Sequence, residues 1–211
     1  MTALNEERFK ARKDIGNARP LINERPDKKP LETWELDGGY VEPKLGDNTT
    51  FTKPVEIDIG ISLELRTKIA AGLNHTLADT YALYLKTQTF HWNVMGPHFS
   101  GLHKMFEQQY QDLANAADLV AERIRALGFL APGGLGVYAK LTAIKEIAGD
   151  PTAEQMIAEL IEGHQTIVKK TRFLLGLVET AKDEATMDIL THRLQVHEKA
   201  AWMLRSSLKV G

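Results

Sequence analysis

Two histidines and two carboxylates near the middle of the chain form the group of side chains best suited to chemistry. His91 and His103 lie in the segment FHWNVMGPHFSGLH, and Asp118 and Glu122 follow in DLVAERIR. Imidazole nitrogens and carboxylate oxygens are ligands that iron and related first-row metals accept together. The four residues therefore predict a metal site.

The spacing of these residues limits how they can share an ion. Asp118 and Glu122 are four positions apart, so both side chains lie on one face of a helix. His103 precedes Asp118 by fifteen positions on the same predicted helix, which corresponds to about 22 Å at a rise of ~1.5 Å per residue. Two interpretations remain at this point. Either the residues are unrelated, or two chains meet antiparallel about a two-fold axis, so that histidines of one chain face carboxylates of the other.

Amphipathic patterns predict four long helices that must position these residues. Apolar side chains recur every three or four positions in each helix. Ser100 is the predicted N-cap of the second helix, and Asp150 followed by Pro151 is the predicted start of the third. The predicted helices cover about residues 62–94, 100–127, 151–178 and 184–208.

The connections between the helices indicate their arrangement. Few residues join helices one and two, or three and four, whereas about twenty residues separate two from three, with room for a short helix around residues 137–147. A short, then a long, then a short connection is the order found in a ferritin-like bundle, where one crossover spans the bundle. No pattern typical of β-strands competes with this helical interpretation. The predicted fold class is all-α: a ferritin-like four-helix bundle with a short helix in the long crossover between helices two and three, preceded by an extended N-terminal arm.

Residues 1–60 differ in character from the rest of the chain. They carry five of the eight prolines and show no sustained hydrophobic period. Such a segment cannot bury enough apolar area to offset its chain entropy. We therefore predict an extended, partly disordered arm over residues 1–60 and a bundle domain over residues 61–211.

The overall composition excludes several classes of protein. The chain has 211 residues, a formal net charge of -2 and no cysteine. Disulfides, thiol nucleophiles and iron–sulfur clusters are therefore excluded, and no global basic field favours nucleic acid. No apolar run approaches the ~18 residues of a membrane span, and the polar N-terminus does not resemble a signal peptide. We expect a cytoplasmic protein with no membrane partner.

The segment FHWNVMGPHFSGLHKMFEQQY, followed by DLVAERIRALG, closely resembles the Dps proteins, the mini-ferritins that protect DNA in stressed bacteria. The resemblance covers roughly residues 62–208 and is most specific in residues 86–128. It implies a hollow dodecamer that oxidises iron(II), preferably with hydrogen peroxide, and stores a ferric mineral. It also implies a di-iron ferroxidase site between subunits, with the ligands His91, His103, Asp118 and Glu122.

Other residues receive secondary roles in this interpretation. Trp92, beside the site, either takes up stray oxidising equivalents or fills the core, and His98 in the turn is a candidate for a minor role near the site. Three acidic residues either line an iron-entry pore at a three-fold axis or form a solvated helix face: Glu154, Glu159 and Glu162. The remaining histidines are expected to be structural: His75, His164, His192 and His197.

Three classes of function follow from these observations. The first is a ferroxidase and iron-storage shell, which rests on the four ligand positions. The second is a nucleoid-associated protein that compacts DNA, for which residues 1–30 would be the binding segment. These residues carry a net charge of +3, but residues 31–60 carry -5, so we expect weak DNA binding. The third is a redox-inactive ferritin-like shell with a structural or zinc-binding role.

Overall fold

The structure is a computed structural model that describes residues 56–208. This part of the chain contains five helices. They are α1 Leu63–Asn93, α2 Phe99–Ala126, α3 Leu135–Leu141, α4 Ala153–Ala181 and α5 Glu184–Ser207. No β-strand occurs among these residues, and none of their helices is long and apolar enough to cross a membrane. The predicted arm lies outside the described residues, except for its last few positions.

The helices pack as two hairpins joined by one long crossover. Helix α1 packs against α2, and α4 packs against α5, across short connections. Helix α1 also contacts α4, while α5 contacts α2, which closes the bundle. The short α3 lies in the crossover and packs against α1. The prediction of an all-α, ferritin-like four-helix bundle with a short helix in the long crossover is confirmed.

The short crossover helix ends earlier than the sequence predicts. It covers Leu135–Leu141, and the second half of the predicted range 137–147 is not helical. The cause is Asp79 on α1, whose Oδ1 accepts hydrogen bonds from Thr142 Oγ1 at 2.9 Å and from the Ala143 backbone N–H at 2.6 Å. Because Asp79 takes that N–H out of the helical pattern, α3 cannot continue.

Two predicted helix starts are wrong. The predicted N-cap Ser100 lies inside α2, and His98 occupies the cap position without a side-chain hydrogen bond. The predicted start at Asp150 is replaced by Thr152, whose Oγ1 accepts from the Gln155 backbone N–H, while the Gln155 side chain accepts from the Thr152 N–H. This capping box satisfies two backbone N–H groups at once.

The predicted apolar stripes form the core of the bundle. Ile69, Leu73 and Leu77 of α1 are completely buried in one apolar cluster. A second cluster surrounds Phe106 and Leu204. Between these clusters along α5 lie the buried polar residues of a network described below. Burial of apolar area at ~25 cal/mol per Å² is the main stabilising contribution of such a core.

Candidate metal centre

A tight turn brings His91 and His103 together. His91 lies in the last turn of α1, and His103 lies in the second turn of α2. Val94 ends α1 with extended backbone, and Gly96 adopts a φ of 110°, a conformation that glycine adopts readily and other residues rarely adopt. The chain reverses within residues 94–98, so the two imidazoles meet across the hairpin.

Each of these histidines bonds the backbone of the other. His91 Nδ1 lies 2.8 Å from the His103 carbonyl oxygen, and His103 Nδ1 lies 2.8 Å from the His91 carbonyl oxygen. A carbonyl oxygen has no proton to donate, so both Nδ1 atoms must carry hydrogen. In the neutral rings each Nε2 then keeps a free lone pair, the form that binds a metal ion. The backbone thus sets the tautomer of both rings.

Aromatic contacts hold the two imidazoles in place. Their ring centroids are 3.8 Å apart, and the planes are inclined by 22°. Tyr110 meets the His91 ring edge-on at 5.2 Å, and the Phe99 ring lies 5.0 Å from the His103 ring. His91 is buried and His103 is half-buried. The pair is therefore a rigid donor group with one side shielded from water.

The predicted carboxylate ligands lie elsewhere on the chain. Asp118 and Glu122 are both exposed on α2, about 22 Å or more along the helix from His103. Their neighbour Arg123 donates a hydrogen bond from Nη2 to Asp183 Oδ1 at 2.7 Å. Among residues 56–208 of a single chain, no three His, Cys, Asp or Glu side chains come together as a metal site. Within one chain the histidine pair and the carboxylate pair are therefore two separate groups, and their sharing of a metal ion stays a prediction.

The two residues predicted to lie near the site are both exposed. Trp92 is 64 % exposed, so the interpretation of this residue as core filler within its own chain is wrong. His98 is exposed at the start of α2. Their roles near a metal centre stay predictions.

The three acidic residues predicted as pore lining differ in their surroundings. Glu154 and Glu162 are exposed on α4, whereas Glu159 is half-buried and forms an ion pair with Lys86 of α1. Glu159, Glu162 and Lys86 also line a cavity of about 230 Å³ beside the crossover. The charge of Glu159 is thus balanced within the chain, and the pore stays a prediction.

One carboxylate near the histidine pair was not singled out from the sequence. Glu107 is half-buried and follows His103 by one helical turn, so both side chains project from the same face of α2. The four-residue spacing between a predicted ligand and a carboxylate was the signal that could have identified it. Glu107 is therefore a candidate oxygen donor on the histidine side.

A second histidine pair lies inside the bundle. His164 of α4 and His197 of α5 are almost fully buried, and their Nδ1 atoms are 2.8 Å apart. Arg193 Nη2 lies 3.5 Å from His197 Nε2, and Gln109 Oε1 lies 3.4 Å from His164 Nε2. Arg193 is in turn bonded to Asp112 by Nη1 at 3.3 Å and by Nη2 at 2.6 Å. Spacing alone could not reveal this network, because its members come from three helices.

The guanidinium group determines where the protons of this network lie. Arg193 can only donate, so it donates to His197 Nε2, and His197 must carry its hydrogen on Nδ1. That hydrogen is donated to His164 Nδ1, and His164 in turn donates from Nε2 to Gln109. Burial, and then the positive charge of Arg193, lower the pKa of His164 to about 3. Burial, followed by His164 and Arg193, holds the pKa of His197 well below its ordinary value.

Comparison with known proteins relates this architecture to a family. Residues 70–210 match the family model described as a ferritin-like domain. The chain is 35 % identical to the DNA protection during starvation protein 2 of Bacillus anthracis, over 64 % of this chain and 93 % of that protein. It is 38 % identical to an uncharacterized low temperature-induced protein of Nostoc sp., over 72 % of this chain and 87 % of that protein. The Dps structure from Vibrio cholerae, a ferritin-like diiron-carboxylate protein, superposes with a TM-score of 0.68 at 30 % identity, over 73 % of this chain and all of that chain.

Proposed function

Because the chain belongs to the Dps family of ferritin-like proteins, we propose that it binds iron(II) as a substrate between two chains, oxidises it and stores the product. Iron storage and protection of DNA are the general functions of this family. The finer proposal is that hydrogen peroxide is the oxidant and that the assembly is a hollow dodecamer. The observation that carries the proposal is the reciprocal bonding of His91 and His103, which leaves two imidazole lone pairs free.

The stacking of the two rings favours two iron ions rather than one. An ion bound by imidazole lies close to the ring plane, about 2.1 Å from the nitrogen. Planes inclined by 22° with centroids 3.8 Å apart intersect well beyond that distance. One ion therefore cannot lie in both planes, and each ring serves its own ion. This supports a pair of ions at the ~3.5–4 Å separation found in two-metal sites.

The carboxylates that complete the site are expected to come from a partner chain. Asp118 and Glu122 are exposed, and about 22 Å of helix separates Asp118 from His103 of the same chain. A two-fold axis that sets the α2 helices of two chains antiparallel would place each histidine pair opposite a carboxylate pair. Such an axis produces two equivalent sites in each dimer.

The chemistry of the combined ligands suits oxidation of iron. Imidazole binds iron(II) well, and carboxylate oxygens favour the harder iron(III), so this set favours loss of an electron. Two adjacent iron(II) ions deliver two electrons to one hydrogen peroxide, which takes up two protons and becomes two waters. The protein supplies the orientation of the ligands and a site that holds both ions together.

Ligand variants test the proposal directly. His103→Ala and Asp118→Ala should each lose most of the acceleration of iron(II) oxidation by peroxide, measured as the initial rate of iron(III) formation. His192→Ala, which removes an exposed histidine of α5, is the matched control and should keep the wild-type rate. Wild-type rates in both ligand variants would instead favour the redox-inactive shell.

A further inference from the structure

A cavity between α2 and α5 lies beside the buried histidine network. Its volume is about 220 Å³. Helix α2 contributes Gln109 and Asp112 to its wall, α4 contributes His164, and α5 contributes Lys199. Polar groups from three helices therefore converge on one cavity, far in sequence from the predicted metal ligands of α1.

The hydrogen bonds of the network end at this wall with an unused donor. Because Arg193 can only donate, the network runs in one direction, from Arg193 to His197 and on to His164. His164 Nε2 then donates to Gln109 Oε1 at 3.4 Å, so the carbonyl oxygen of this amide is engaged. Gln109 Nε2 is left over: it is buried and has no hydrogen-bond partner among residues 56–208. A buried donor without an acceptor is costly, so the cavity favours a ligand that accepts a hydrogen bond.

The charges around the cavity favour an anion. The Asp112 carboxylate accepts two hydrogen bonds from the buried Arg193 guanidinium, so these two charges balance each other. Lys199 is exposed at the rim and forms no ion pair within the described part of the chain. His164 is uncharged near neutral pH, because burial and then the positive charge of Arg193 lower its pKa to about 3. The charge of Lys199 is therefore the one left without a partner at this cavity.

The rest of the wall is apolar. Three of the four side chains that form it are half-buried and one is buried: Met105, Val196, Met203 and Ala200. Methionine adapts its shape to an irregular ligand. At ~30 Å³ for each water-sized group, the cavity has room for about seven such groups, enough for a short hydrocarbon chain with a carboxylate at one end. A wall with a few placed polar groups on an apolar background is typical of small-molecule sites.

We propose that this cavity binds a small organic acid. Its carboxylate accepts a hydrogen bond from Gln109 Nε2 and faces Lys199, and its short hydrocarbon chain packs against the apolar wall. His164 keeps its hydrogen bond to Gln109 Oε1, so the histidine network is unchanged by binding. The bond that a carboxylate accepts from an N–H group is stronger than the bond that a water accepts, and the hydrocarbon chain adds apolar burial. Free phosphate lacks this apolar part and is therefore the weaker ligand.

Saturation-transfer NMR with butyrate as the probe tests this site. The full-length protein is titrated at pH 7 and fixed ionic strength, and the dissociation constant is taken from the transfer to the butyrate methyl protons. Gln109→Glu keeps the oxygen that accepts from His164 but replaces the NH₂ group by a second carboxylate oxygen, so binding should weaken at least about tenfold. Lys199→Gln removes only an exposed charge and should weaken binding by about two- to fivefold. Inorganic phosphate at the same concentration should displace little of the butyrate.

A matched control makes the same change of charge away from the cavity. Gln195→Glu alters an exposed residue of α5 that does not line the cavity, and it should bind butyrate as the wild type does. The absence of saturation transfer in the wild type, or wild-type affinity in both Gln109→Glu and Lys199→Gln, would overturn the proposal. Displacement of butyrate by an equal concentration of phosphate would overturn the assignment to an organic acid. None of these outcomes bears on the proposed iron chemistry, because no predicted metal ligand takes part.

Discussion

Histidine occurs in two opposite settings in this protein, and the difference lies in single hydrogen bonds. In the pair His91 and His103 each ring donates from Nδ1 to a carbonyl oxygen, so each Nε2 lone pair is free. In the pair His164 and His197 both nitrogens of each ring are engaged. The pair His164 and His197 therefore has no lone pair to offer a metal ion, although its Nδ1 atoms are only 2.8 Å apart.

The buried histidines should make stability depend on pH. The pKa of His164 is lowered to about 3, whereas an unfolded histidine has a pKa of about 6.5. At a pH between these two pKa values, His164 is protonated in the unfolded chain but not in the folded chain. The free energy of unfolding is therefore highest above pH ~6.5 and falls as the pH decreases towards 3. The slope is at most about 1.4 kcal/mol per pH unit for each such histidine. Denaturant unfolding at fixed protein concentration, from pH 7.5 to pH 4.5, measures it.

Replacement of one buried histidine should flatten this dependence. His164→Gln removes a group whose protonation favours unfolding, so its unfolding free energy should fall less steeply with decreasing pH than that of the wild type. At pH 7 the variant should be less stable by about 1–3 kcal/mol, because the hydrogen bond from His197 loses its acceptor. His192→Gln on the exposed side of α5 is the matched control. An identical pH slope in His164→Gln and the wild type would contradict the assignment.

At the scale of the helices, one buried ion pair fastens α2 to the start of α5. Asp183 is the N-cap of α5 and accepts from the Thr186 N–H at 3.0 Å and from Arg123 Nη2 at 2.7 Å. Burial alone would raise the pKa of Asp183, but the hydrogen bonds from Arg123 and Thr186 outweigh it and lower the pKa. Arg123 directly follows Glu122, so this contact also fixes the segment of α2 that carries the carboxylate pair.

Removal of this carboxylate should destabilise the bundle. Asp183→Ala leaves Arg123 without its buried partner and deletes a helix cap, for which we expect a loss of about 3–5 kcal/mol in the free energy of unfolding. Glu198→Ala breaks the exposed ion pair with Arg172 and should cost at most about 1 kcal/mol. Denaturant unfolding of both variants at pH 7 compares them. Equal effects would show that the buried pair does not anchor α2.

At the scale of the whole molecule, the two half-sites predict complementation between chains. A His91/His103 double variant keeps its carboxylates, and an Asp118/Glu122 double variant keeps its histidines. Mixed assemblies should recover part of the iron oxidation that each double variant lacks, because one of the two sites in a mixed dimer is intact. The initial rate in assemblies shown by mass to contain both chains is the measurement. Inactivity of such mixed assemblies would argue against a site between chains.

The N-terminal arm, of which residues 1–55 lie outside the described part of the chain, should bind DNA only weakly. Residues 1–30 hold eight Lys and Arg against five Asp and Glu, and residues 31–60 hold two against seven. An oligomer multiplies the weak attraction of the first segment, but it also multiplies the repulsion of the second. We expect a gel shift at low salt that is mostly lost near physiological ionic strength and abolished by deletion of residues 1–30. Tight binding at physiological salt after that deletion would mean that another surface holds the DNA.

The features that the sequence alone determined are those encoded locally. The hydrophobic period of each helix and the lengths of the connections predicted the ferritin-like bundle, because both depend on residues close together in the chain. The types of His91, His103, Asp118 and Glu122 predicted a metal site, which stays a prediction. The helical rise even separated the two halves of that site without any structure.

Contacts between helices decided the rest. The tautomers of His91 and His103 depend on carbonyl oxygens across a hairpin, and the end of α3 depends on Asp79, which lies on α1. The pairing of His164 with His197 joins two helices that no motif connects. None of these can be obtained from periodicity, because a hydrogen bond requires atoms within about 3 Å of each other, and only the packed bundle brings residues that are distant in sequence to that separation.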